Sequence, residues 1–113
     1  MMKIMEEIDN FVNERDWEQF HTPKNLAASI TIEAAELMEC FQWSSPSEIE
    51  LIQDKDRMDS VKAELADVMI YAIRLCSVLS LDPLNIMGDK LEENRRKYPI
   101  NLSRGNPKKY NEL

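Results

Sequence analysis

Apolar residues recur at helical spacing along most of the chain. Ile4, Ile8, Phe11 and Val12 fall three or four positions apart, which predicts a first helix over about 3–15. Thr22-Pro23 pairs an N-cap with a proline at the first helical position, and opens a second helix predicted to run from about Pro23 to Phe41. Ser45-Pro46-Ser47-Glu48 repeats that start signal with a capping-box glutamate and predicts a short helix or loop reaching Asp56. A third long helix is expected from about Arg57 to Leu79, and Asp82-Pro83 starts a last one that ends before Pro99. Glycine occurs only at Gly88 and Gly105, and no alternating strand pattern bounded by turn residues is present, so the pattern is all-α. Residues 1–113 read as one domain, with a polar tail over about 100–113.

From Leu65 to Leu79 the third long helix is apolar almost all round. A helix hydrophobic on every side needs neighbours on every side, so a homo-oligomer that uses this helix as its interface is expected. The exceptions fall in register. Glu64, Asp67, Tyr71 and Arg74 follow steps of three, four and three and form one polar stripe, while Asn25, Ser29, Glu33 and Glu36 form another on the second helix. Two polar stripes on mostly buried helices should face each other.

Those stripes hold two acid pairs, Glu33-x-x-Glu36 and Glu64-x-x-Asp67, each set among apolar residues. Residues three apart project from the same helix face, so each pair aims two carboxylates one way. Ionised carboxylates buried without partners would cost several kcal/mol each, roughly, so the cluster has to be neutralised by a cation or partly protonated. All-oxygen ligation suits Mg²⁺ or Mn²⁺. A di-iron bundle would want Glu-x-x-His pairs, and the sole histidine, His21, lies outside both motifs. A row of acids on a helix also serves as a plain solvated face, which leaves a helical interaction module with an acidic partner-binding surface as the competing reading.

Composition narrows the rest. A net charge of −7 argues against a nucleic acid polymer as ligand, because phosphate-backbone binders display basic faces. Cys40 and Cys76, each in an apolar helical run, read as buried thiols of a reducing compartment. Acids interrupt every candidate membrane span and the N-terminus has no long apolar core, so a cytoplasmic protein away from membranes is expected. Trp17, Phe20 and His21 before the second helix, Trp43 after it and Tyr71 on the acid stripe could sandwich a planar base. Lys90, Asn94, Arg95, Arg96 and Lys97 form the densest basic cluster and suit phosphates, or simply a helix C-terminus.

Phe11 to His21, Glu33-Ala34-Ala35-Glu36-Leu37 running into Phe41-Gln42-Trp43, Glu64-Leu65-Ala66-Asp67-Val68 with Tyr71, and Lys90 with Asn94 to Pro99 together resemble the all-α MazG-like nucleotide pyrophosphohydrolases. Within that superfamily the resemblance is to the dCTP pyrophosphatase group. It implies a MazG-like four-helix bundle assembled as a dimer or tetramer. It further implies hydrolysis of a nucleoside triphosphate, dCTP or a modified dCTP first, to the monophosphate and pyrophosphate. Relatives with the same acids act on dUTP or other noncanonical triphosphates. On the resemblance, Glu33, Glu36, Glu64 and Asp67 would bind Mg²⁺, with Glu36, or Glu33, as the proton-accepting carboxylate and Glu39 behind it. Trp17, Phe20, His21, Trp43 and Tyr71 would form the base pocket, and Lys90, Asn94, Lys97 and Tyr98 would meet the phosphates.

Overall fold

The helix-start signals are met by side chains that close the helix ends. A computed structural model describes residues 1–113, and its regular elements are all helical. They are α1 (Met2–Glu14), α2 (Pro23–Glu39), α3 (Glu48–Gln53), α4 (Lys55–Val78), α5 (Pro83–Lys97) and α6 (Ile100–Ser103), with 3-10 turns at Glu18–Phe20 and Tyr110–Glu112. Thr22 Oγ1 accepts the Asn25 N–H at 3.1 Å, and Pro23 follows it as the first helical residue. Asp82 Oδ1 accepts from the Leu84 and Asn85 amides at 2.9 and 3.2 Å. Caps of this kind are worth about 1 kcal/mol each.

Boundaries differ from the expected ones by a few residues, each for a local reason. The serine that caps α3 is Ser47, which accepts the Glu50 N–H at 3.3 Å. α4 begins at Lys55 rather than Arg57 because Asp54 caps it, accepting the Arg57 N–H at 3.1 Å. α2 stops at Glu39 rather than Phe41, since the Cys40 and Phe41 amides turn to the carbonyls three residues back, Leu37 and Met38, at 3.1 and 2.9 Å. The tail is not wholly irregular: it carries α6 and the turn at Tyr110–Glu112.

Contacts divide the chain into two compact units, Met1–Ser80 and Leu81–Leu113. In the first, α2 and α4 pack along each other, and α1 and α3 also lie against α4. Its buried apolar side chains are Ile8 and Val12 of α1 and Leu26 of α2. Leu26 is 1% exposed, and its burial contributes about 2 kcal/mol. The apolar surface of α4 is not covered within the chain: Leu65, Met69 and Ile70 stay 44, 51 and 42% exposed. No helix is long and apolar enough to cross a membrane.

In the second unit the tail folds onto the end of α5. Tyr110 meets Tyr98 edge to face at 6.2 Å between ring centroids, and Lys97 Nζ lies 4.7 Å from the centre of the Tyr110 ring.

Candidate active site

One wall of the site is made by the way α1 ends. Arg15 caps the helix, and Asp16 after it adopts a left-handed backbone, φ 54°. Its amide bonds to Asn13 and that of Trp17 returns to Val12, both at 3.1 Å, which is the Schellman closure of a helix. The chain is thereby turned so that Trp17 stands edge-on to Phe11, with centroids 5.7 Å apart. The 3-10 turn Glu18–Phe20 follows, and Asn25 of α2 ties it down by donating from Nδ2 to the Phe20 carbonyl at 3.0 Å. Asn25 therefore works on the backbone of this turn, although its place on the stripe of α2 suggested the site itself.

Behind that wall lies a half-buried polar network. Arg74, the one buried charged residue, donates from Nη1 to Asp9 at 2.7 Å and from Nε to His21 Nδ1 at 3.1 Å. The other Asp9 oxygen accepts the Ser77 hydroxyl at 2.6 Å. Burial, and then the Arg74 charge, hold the His21 pKa below its usual value.

Three acids converge opposite. A carboxylate oxygen from each of Glu33, Glu64 and Asp67 lies within 4.8 Å of the others. Glu33 Oε2 and Glu64 Oε2 are buried and have no donor in the protein. Glu36 acts on both glutamates and raises the pKa of each. Burial pushes the Glu33 carboxyl up to about 7, helped by proton sharing with Glu36 and Glu64 and by the Glu36 and Asp67 charges. Glu64 is raised by burial first and then by Glu36. Such a set is frustrated as bare anions, and a hard divalent cation would supply what the two orphaned oxygens lack.

A cavity of about 370 Å³ joins the acids to the aromatic wall. Ile8, Phe11, Trp17 and Ile70 give its apolar surface, and Glu33 and Asp67 sit in it together with His21, Tyr71 and Arg74. Of the expected base-binding residues, Trp17, His21 and Tyr71 are thus brought to the acids. Phe20 and Trp43 are not among the lining residues; Phe20 is exposed and Trp43 is 89% exposed on the turn after α2. Asp9 went unmarked in the sequence, and Ile8 and Ile70 were read there only as parts of apolar helix surfaces. Arg74 was visible there as the last member of the polar stripe of the third long helix, without its partners.

In the second unit, Glu93 holds two of the expected phosphate-binding cations, taking Lys97 at 2.8 Å and Lys90 at 3.2 Å. These contacts lower the Glu93 pKa and raise that of Lys97. The Asn94 carbonyl accepts the Tyr98 amide at 2.8 Å. Arg95 pairs with Glu92 at 2.8 Å, a use that separates it from Arg96 as the sequence could not.

The MazG-like family model matches residues 28–113, and the chain belongs to that family. It is similar to dCTP pyrophosphatase 1 of Rattus norvegicus, 42% identical over 105 residues, and of Homo sapiens, 41% over 106. Those matches cover 91% of this chain and 61% of each relative, so the chain spans about three-fifths of their length. Among solved structures it resembles a pyrophosphatase from Archaeoglobus fulgidus with a TM-score of 0.79 and 43% identity, over 88% of this chain and 92% of that one.

Proposed function

We propose that the protein is a Mg²⁺-dependent nucleoside triphosphate pyrophosphohydrolase that converts dCTP, or a dCTP modified on the base, to the monophosphate and pyrophosphate. The observation that carries this reading is the meeting of three carboxylates, two of them with orphaned buried oxygens, and an aromatic cavity wide enough for a base. Similarity to dCTP pyrophosphatases supports the choice of nucleotide.

Glu33, Glu64 and Asp67, with Glu36 beside them, would hold the metal. A divalent ion there supplies charge neutralisation for the phosphate oxygens and a more acidic attacking water. The chain's own groups do the rest. Glu36 is not among the three convergent acids, and it, ahead of Glu33, is assigned to take the proton of the water. Trp17 and Tyr71 stack on or flank the base, and His21 meets its polar edge. Lys90 and Lys97, with Asn94 and Tyr98, are assigned to the phosphate chain. The exposed apolar side chains of α4 support assembly with further copies of the chain.

A panel of nucleoside triphosphates assayed for pyrophosphate release, with Mg²⁺ and with chelator, tests the reading. Metal-dependent formation of dCMP and pyrophosphate is expected. Absence of pyrophosphate from every nucleotide would favour the acidic partner-binding surface instead.

A further inference from the structure

His21 is the only histidine in the chain, and its ring is held from one side. Arg74 Nε donates to its Nδ1 at 3.1 Å. A guanidinium has donors and no acceptor, so Nδ1 must present a lone pair and the imidazole proton must sit on Nε2. Arg74 is itself fixed, with Nη1 on Asp9 at 2.7 Å while Asp9 takes the Ser77 hydroxyl at 2.6 Å. Because the guanidinium is planar, anchoring Nη1 also sets the direction of Nε–H. Asp9 belongs to α1 and Arg74 and Ser77 to α4, so two helices clamp a ring that stands in the turn before α2. The other ionisable groups around the cavity are Glu7 of α1, Glu33 of α2, and Asp67 and Tyr71 of α4, and none of them is bonded to the imidazole.

We propose that Asp9 and Arg74 are positioning residues that keep His21 in its Nε2–H tautomer, so that the cavity offers the base one fixed hydrogen-bond donor. The proposal rests on the reading that this cavity takes a nucleobase. Cytosine carries an acceptor at N3, where uracil carries an N–H. A donor locked in place favours the former, whereas an imidazole free to exchange its proton between nitrogens could serve either. Discrimination then comes from leaving the wrong base with two opposed donors. The lowered His21 pKa agrees with a neutral ring.

Two-bond ¹H–¹⁵N spectra of the labelled protein read this directly, since one histidine gives one pair of ring nitrogens. At neutral pH the parent should show a protonated Nε2 and a bare Nδ1. Arg74→Gln keeps an N–H donor for Nδ1 and should preserve that tautomer, whereas Arg74→Met should average the two. Arg74→Met should also raise KM for dCTP roughly tenfold, the worth of one good hydrogen bond, with a smaller change in kcat, and narrow the preference for dCTP over dUTP. Arg74→Gln should restore the preference. If Arg74→Met fails to fold by circular dichroism, the parent spectrum and Arg74→Gln still decide. A parent that turns over dCTP with its proton on Nδ1, or an Arg74→Met with unchanged dCTP to dUTP ratio, would overturn the positioning role alone. A parent with the expected tautomer that releases no pyrophosphate would overturn the function, and with it the substrate assigned here.

Discussion

Glu33 on α2 and Glu64 on α4 bring their carboxylates together with a buried Oε2 apiece, and neither oxygen has a donor. Removing charge from this group should disable turnover without unfolding the protein. Glu33→Gln or Asp67→Asn should cost roughly a hundredfold or more in pyrophosphate release at saturating Mg²⁺, since about 3 kcal/mol of lost stabilisation is two decades in rate. Circular dichroism should stay helical. Turnover equal to the parent's would show that the acids do not carry the reaction.

The same crowding makes stability depend on pH in a definite sense. Glu33 titrates at about 7 in the folded chain, against 4.5 as its ordinary value. Below the lower figure both states hold the proton and nothing is lost. Between the two, folding demands uptake of a proton, so metal-free stability falls as pH rises and levels off above about 7. Melts in chelator should show the Tm of Glu33→Gln drawing ahead of the parent's across that window. A gap that shrinks with pH would reject the assignment.

Leu65, Met69 and Ile70 expose an apolar strip on α4 that a lone chain leaves in water. Sedimentation at micromolar concentration should therefore show a homo-oligomer, a dimer or tetramer, and Met69→Glu should weaken it. A parent protein sedimenting as a stable monomer would contradict this.

Base recognition should separate from phosphate chemistry. Trp17→Ala or His21→Ala should weaken dCTP binding, because stacking and a polar contact are each worth roughly 1–3 kcal/mol. Lys97→Ala should instead lower turnover of dCTP, dUTP, dTTP and dATP alike, as all share the phosphate chain. Trp43→Ala provides a further check. An unchanged ranking of bases would place its exposed ring outside recognition.

Asp16 holds a left-handed backbone that only glycine adopts freely. Asp16→Gly should be neutral or slightly stabilising, whereas Asp16→Val should cost about 1–2 kcal/mol and loosen Trp17, measured as a lower Tm together with a higher KM for dCTP.

Helix type and the acid pairs were legible because both depend on spacing within a single element. Glu33 and Glu64 could be matched from their apolar neighbours alone. Trp43 was assigned to the base pocket, but a residue just past a helix end faces wherever the turn sends it, and in this chain its ring is exposed. The Asp9–Arg74–His21 network escaped for another reason: its hydrogen-bonded partners are 65 and 53 residues apart, and no local pattern links an aspartate on α1 to an arginine on α4. The capping of α4 by Asp54 was missed because the aspartate sits one residue past the end of α3 and ends one helix while starting the next.

Ending α1 in a Schellman closure has one more consequence. Ile8, Phe11 and Trp17 all face the cavity, and the last is joined to the helix by main-chain bonds rather than carried on a free loop. The three side chains are thus carried by one helix, which is seated in the core through Ile8 and Val12. A larger base, such as a 5-substituted cytosine, would have to displace α1 and not a loop side chain alone. Size tolerance should accordingly respond to conservative changes at Val12, whose side chain is buried in the core.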